Sequence, residues 1–274
     1  MSVSSSSYES SHRLRSASSE PSAGRPAKPA QTQALHRQTL GAPNRAGETA
    51  HAAWADLYFT VDSPVGAVYV VAGRGGVRFI DQAGSPGDLA DRYRARFGRS
   101  LSAPLGDAAP AQSETVAAAL RGEPVEVVVD LAGLTPFQRR ILEVTAGVPR
   151  GQVRSYAWVA REAGVPGAAR AAGNALASNP VPLLVPCHRV VNSDGRTGRY
   201  AFGAHAKRRL LELEGVSLQE IALAPYVASR ATSVLCHATC GRARALSAAE
   251  RQPFRSAREA AAAGYRPCTD CRPA

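Results

Sequence analysis

An α+β chain is what this sequence predicts, on three observations. Short β-patterned runs separated by Gly and Pro turns occupy residues 57–80, capped amphipathic helices occupy 135–177, and two close pairs of cysteines end the chain. The expected parts are a small antiparallel sheet with flanking helices (53–132), a helical, winged-helix-like helix-turn-helix region (133–218) and a small four-cysteine module (226–274).

The elements follow in order. Residues 1–52 are rich in Ser, Ala, Pro, Gln and Arg, and nearly free of large apolar side chains. Such a segment cannot bury enough surface to offset its ordering entropy, so a disordered basic tail is expected. From Trp54 onward, Leu57-Tyr58-Phe59-Thr60-Val61, Ala67-Val68-Tyr69-Val70-Val71-Ala72 and Val77-Arg78-Phe79-Ile80 are divided by turns, which reads as an antiparallel meander. Gly75-Gly76 is a hairpin turn and no phosphate loop, because no strand-to-helix context follows it. Residues 88–97 and 113–121 read as helices, and 125–131 as another strand. Thr135 is a natural N-cap with Pro136 behind it, and Phe137, Ile141, Leu142 and Val144 share one face. Ser155 caps a second helix through Glu162 that ends at Gly164. The turn Val165-Pro166-Gly167 then leads to a third helix over 168–177, the outline of a helix-turn-helix.

That third helix carries small residues (Ala169, Ala171, Gly173) around a single Arg170. It fits a tightly packed internal helix whose arginine snorkels outward. It equally fits a face smooth enough to lie on a duplex, with shape-driven contact in place of base-edge readout.

Lys plus Arg number 33 against 22 Asp plus Glu, a net charge of +11 that favours polyanionic partners, nucleic acid before acidic membrane. A generally arginine-rich proteome would give the same balance without that meaning. No run approaches the eighteen or so apolar residues of a membrane span, and the serine-rich start has no secretory core, so a cytoplasmic chain is expected.

Cys187 is the only thiol before residue 235, and it lies in the strand-like run Leu183-Leu184-Val185-Pro186-Cys187-His188-Arg189-Val190-Val191. A lone cysteine is by default a small buried hydrophobe. Beside an imidazole it can instead be an activated nucleophile, and the residues by themselves leave both readings open.

Pro186-Cys187-His188-Arg189-Val190, together with Ser178-Asn179-Pro180, the arginine-bearing small-residue helix and Ser155-Tyr156, closely resembles the O6-alkylguanine-DNA alkyltransferases. These are the methylated-DNA–protein-cysteine S-methyltransferases. The likeness covers roughly residues 54–215 and is most specific over 135–215. It implies that Cys187 attacks the alkyl carbon, His188 is its base and Glu214 orients His188. By the same likeness Asn179 braces the turn before the nucleophile, Tyr156 protonates the departing guanine, and Arg170 fills the gap left by a flipped nucleotide. Val190, Tyr200 and Ala201 would line the base pocket. Its substrate would be double-stranded DNA carrying O6-alkylguanine, and O4-alkylthymine with it; the protein would act as a monomer, at the nucleoid, and the transfer itself would need no cofactor. The chemistry agrees: an exocyclic oxygen inside a duplex is reached by flipping the base. A thioether product cannot be hydrolysed like an acyl enzyme, so each molecule acts once. The pocket loop has Ala201 and Phe202 where relatives often carry serine, arginine or tryptophan, which bears on tolerance for larger alkyl groups.

Cys236-x3-Cys240 and Cys268-x2-Cys271 have the layout of a structural Zn2+ site. The stretch 257–273 resembles the zinc domain of Ada-type methylation-repair regulators, which implies that Cys236 would accept methyl groups from phosphotriesters. Against that role, the module comes last in the chain, Cys236-His237-Ala238-Thr239-Cys240 lacks the usual arginine and proline, and His237 is a weak substitute ligand. Two other classes stand beside the repair reading: a non-catalytic alkylation sensor that binds lesions, and a thiol hydrolase using Cys187 and His188.

Overall fold

Alternation of apolar residues builds the first sheet. The computed structural model describes residues 56–104 and 110–273, so the tail expected at 1–52 lies outside the described residues. Strands β1 (Asp56–Ser63), β2 (Gly66–Gly73) and β3 (Gly76–Asp81) form the expected antiparallel meander, with Val61 opposite Val68 and Val70 opposite Ile80. Phe59, Val61, Val68, Val70 and Ile80 face the main core. On the other face, Val71 and Phe79 are covered by Leu89 and Tyr93 of α1 (Pro86–Phe97). Strand β4 (Leu101–Pro104), which the sequence reading did not foresee, runs parallel to β1 and completes the order β3-β2-β1-β4. Helix α2 (Pro110–Arg121) adds Val116, Ala119 and Leu120 to the core.

Residues 125–131 are not the strand expected. Val127, Val129 and Leu131 point inward as alternation predicts, but the segment meets the sheet in an isolated parallel bridge to Val77, through Val128 O (2.9 Å) and Asp130 N (2.8 Å). Alternation reports which side faces the core and does not by itself make a ladder. Gly76 allows this approach, since its φ is +111° and a Cβ there would lie 2.3 Å from Val128 O.

Helix α3 (Pro136–Ala146) starts in a full capping box between Thr135 and Gln138. Ser155 ends β5 (Arg154–Ser155) and caps α4 (Tyr156–Glu162) by accepting from Trp158 N at 3.1 Å. The turn at 165–167 leads into α5 (Ala169–Ala177), which buries Ala172, Ala175 and Leu176 and completes the helix-turn-helix.

The run before the nucleophile also departs from expectation. Pro180, Pro182 and Pro186 deny it a strand ladder. It folds instead as a buried turn, with Leu183 at φ +76°, into a short 3-10 turn at Cys187–Arg189. Its apolar character reflects burial. Strand β6 (Val190–Val191) then pairs parallel with β5, Arg154 opposite Val190, before α6 (Gly203–Leu213) and α7 (Leu218–Leu223).

The C-terminal module has its own sheet. Strands β7 (Tyr226–Ser229), β8 (Val234–His237), β9 (Arg251–Phe254) and β10 (Arg266–Pro267) lie in the order β10-β8-β7-β9, with α8 (Gly241–Arg244) and α9 (Ala257–Ala262) between them. No helix among the described residues is long and apolar enough to cross a membrane.

Candidate active site and metal centre

Cys187 is 4 % exposed and sits at the bottom of the turn that Asn179 ties together. The Asn179 amide donates to Val185 O at 3.0 Å and to Cys187 Sγ at 3.2 Å, while its carbonyl accepts from Val181 N at 3.1 Å. Burial pushes the Cys187 thiol up, and the Asn179 donor and the charge of Lys207 pull against it.

His188 Nε2 lies 3.1 Å from Glu214 Oε1. Arg189 grips the same carboxylate, with its Nε 3.1 Å from each oxygen and its terminal nitrogen 2.8 Å from Oε1. Burial opposes ionisation of Glu214, but these donors outweigh it and hold the group at about 2. Burial likewise pulls His188 down, against the attraction of Glu214. The result is an ionised carboxylate balanced by Arg189 and a neutral imidazole. Nε2 then carries the hydrogen toward Glu214, and the buried Nδ1, which has no protein partner, keeps its lone pair.

Lys207 is fully buried, and no sequence reading singled it out. Its Nζ donates to Val190 O at 2.6 Å and reaches the Tyr156 hydroxyl at 3.4 Å. Burial lowers it to about 8, against the pull of Cys187. Its signal was helical spacing: residues 207, 210, 211 and 214 fall at i, i+3, i+4 and i+7, so this lysine lies on the apolar stripe of α6. Arg189 stands in the motif, but its role is not readable there, because the carboxylate it grips lies 25 residues on, at Glu214.

Tyr156 begins α4 and packs under Gly173 of α5 on one side and Gly198 on the other. At Gly198, with φ +69°, a Cβ would stand 2.6 Å from the Tyr156 hydroxyl, so only glycine lets the loop close there. Burial, helped by Cys187, pushes Tyr156 up to about 12. Tyr200 is buried edge-on to His188 with centroids 6.1 Å apart. Val190 is buried too, while Ala201 is exposed. Arg170 and Ala171 are exposed on the outer side of α5, and Ala169 and Gly173 are half-buried. Cys187, His188, Glu214, Asn179, Tyr156, Val190 and Tyr200 thus converge, and Arg170 stands apart on the surface.

In the C-terminal module, the sulfurs of Cys236, Cys240, Cys268 and Cys271 lie within 4.8 Å of one another, and each residue is at most 3 % exposed. Tetrahedral ligation at usual zinc–sulfur lengths separates sulfurs by about 3.8 Å, so the four fit one ion. His237, the substitute ligand considered above, is not part of that group. Arg154 Nε, beside these sulfurs, is buried with no hydrogen-bond partner.

Both sites fall in stretches that match known families. The DNA-binding domain of the 6-O-methylguanine DNA methyltransferases matches residues 136–216, and the metal-binding domain of Ada matches residues 223–274. With the four sulfurs, the second match makes the module a Zn2+ site. The methylated-DNA–protein-cysteine methyltransferase of Mycobacterium tuberculosis is 37% identical over 163 residues, spanning 57% of this chain and 91% of that protein. The like-named protein of Methanothermobacter thermautotrophicus is 51% identical over 92 residues, spanning 34% of this chain and 51% of its own length. A crystal structure of Mycobacterium tuberculosis OGT in complex with DNA is 35% identical, covers 57% of this chain and 91% of that one, and has a TM-score of 0.44.

Proposed function

Because this chain belongs to the methylated-DNA–protein-cysteine methyltransferases, we propose that it repairs DNA by moving the alkyl group of O6-alkylguanine, and of O4-alkylthymine, onto Cys187. The observation that carries this assignment is the chain of contacts behind a buried thiol: His188, the next residue, lies 3.1 Å from Glu214, whose carboxylate Arg189 also grips. His188 Nδ1 takes the thiol proton, directly or through one water, and the thiolate gains a donor from Asn179 and the nearby charge of Lys207. Sulfur attacks the alkyl carbon, the carbon–O6 bond breaks, and its electron pair goes to guanine. Tyr156, held at about 12 and so protonated, gives guanine a proton as it leaves. The product is a thioether, and each molecule reacts once.

The DNA is double-stranded. The exposed Arg170 on the small-residue face of α5, with Ala169, Ala171 and Gly173 around it, occupies the stack from which the base is flipped. Val190, Tyr200 and Ala201 bound the pocket that receives it. The net charge of +11 supports association with the nucleoid, and the protein works as a cytoplasmic monomer. Zinc, once bound by Cys236, Cys240, Cys268 and Cys271, supplies a folded centre to a module with a small core of its own. The run Cys236-His237-Ala238-Thr239-Cys240, without the usual arginine and proline, supports a structural role for Cys236 over a methyl-accepting one.

Incubation with duplex DNA carrying labelled O6-methylguanine tests the reading. One equivalent of label on Cys187 is the expected result. Catalytic release of product would point to a thiol hydrolase, and binding without transfer to an alkylation sensor.

A further inference from the structure

The zinc module is packed onto the strand and helix that carry Tyr156. Thr239, next to the ligand Cys240, accepts from Val153 N at 3.0 Å. Trp158 Nε1 donates to the carbonyl of the ligand Cys271 at 3.0 Å and to Arg272 O at 3.1 Å. Arg161 donates to Arg272 O at 2.5 Å, Arg272 pairs with Glu162 at 2.5 Å, and Arg244 donates to Gly215 O at 3.0 Å.

Arg154 lies at the centre of this contact. It is 4 % exposed and stacks 5.3 Å from the Trp158 ring. It donates to Val153 O at 2.8 Å and Gln152 Oε1 at 2.7 Å. Both acceptors are neutral, and no carboxylate among the described residues is paired with it. A buried guanidinium without a counter-charge is costly. The acidic groups that act on it are the four cysteines, Cys271 first. Four thiolates on one Zn2+ sum to −2, which answers that need.

We infer that Arg154 is the outer cation of the zinc site, lent by the helix-turn-helix region, so that loading zinc and fastening the module to the Tyr156 segment are one event. The inference rests on the module being a zinc site. Arg154 pairs with Val190 across β5 and β6, and Ser155 behind it caps α4 at Tyr156. Zinc binding therefore firms the wall and the phenol of the base pocket from outside it, and Arg154 is a positioning residue that acts through the four thiolates.

The test uses the full chain loaded with Zn2+ or with Co2+, whose thiolate absorption reports the ligand charge. Arg154→Met keeps the stem and removes the charge, and it should weaken zinc binding about ten- to a hundredfold and shift the cobalt–thiolate band. Arg154→Lys should restore most of both, which a purely space-filling role would not allow. In the wild type, chelating zinc should speed amide exchange over residues 153–161, a readout that holds even if Arg154→Met fails to fold. Zinc affinity and band unchanged in Arg154→Met, or exchange over 153–161 indifferent to zinc, would overturn the inference. A wild-type chain with no cobalt–thiolate band would remove the zinc site itself, and the inference with it.

Discussion

Two buried sulfur sites in one chain have been given opposite tasks, and their surroundings explain the division. At Cys187 a single thiol is pushed up by burial, and a complete protein network answers it: a donor from Asn179, the charge of Lys207, and a neutral His188 whose carboxylate is already balanced. At the quartet four sulfurs crowd within 4.8 Å, and the buried cation beside them, Arg154, comes from outside their module. The first site can make one thiolate when a substrate arrives. The second, holding four, needs a metal ion to be stable at all. Burial is common to both, so it does not distinguish nucleophile from ligand; the partners do.

The sharpest break between the two is substitution of one sulfur at each. Cys187→Ala should abolish alkyl transfer while leaving zinc content and DNA binding intact, measured by label transfer, metal analysis and gel shift. Loss of all three together would mean that Cys187 is a structural thiol. Next in size, Cys268→Ala should cost most of the metal affinity, since structural zinc contributes on the order of 10 kcal/mol to modules of this kind. Mass spectrometry should still find Cys187 alkylated by free O6-benzylguanine in that variant, more slowly. If the quartet were the reacting site, that labelling would vanish with Cys268.

What was legible in the sequence tracks how local each signal is. The meander, the caps at Thr135 and Ser155 and the helix-turn-helix are written in neighbouring residues, and the structure contains them. The cysteine spacing of the quartet was equally plain. Lys207 was readable in principle, as a lysine on an apolar stripe, but the pattern says only that it is buried and not what it meets. Arg154 carried no signal, because the thiols that act on it lie some eighty residues or more away in the chain. The runs 125–131 and 183–185 misled for one reason: apolar residues mark burial, and whether a ladder forms depends on prolines and on the neighbouring strand.

The balance at Glu214 gives a pH test, read as the difference between variant and wild type so that acid loss of metal from the thiolates, common to both, cancels. The Glu214 carboxyl sits at about 2 in the fold against an ordinary 4.5, so its stabilisation is complete above about 4.5 and drains as pH falls from there toward 2. That stabilisation is on the order of 3 kcal/mol at neutral pH. Glu214→Gln should unfold at lower urea near neutrality, and its deficit against the wild type should shrink on acidification through that window. A deficit constant with pH would mean that the carboxylate is not what His188 and Arg189 require.

Arg170 is the smallest and most selective case, because it lies at neither sulfur. Flipping a nucleotide costs a few kcal/mol, and a side chain that fills the vacated stack offsets part of that cost only when there is a stack to fill. Arg170→Ala should therefore slow repair of O6-methylguanine in duplex DNA about ten- to a hundredfold, and leave reaction of Cys187 with free O6-benzylguanine within about twofold. Zinc content should not move, since Arg170 is exposed on α5 and the module is bonded through Val153, Trp158 and Arg161. Equal losses on duplex and free base would sink the stack-filling role, because they would place the effect at the thiol, where no duplex is needed. A loss on duplex that disappears at low salt would instead reduce Arg170 to one phosphate contact among several, with the expected shallow change in salt dependence.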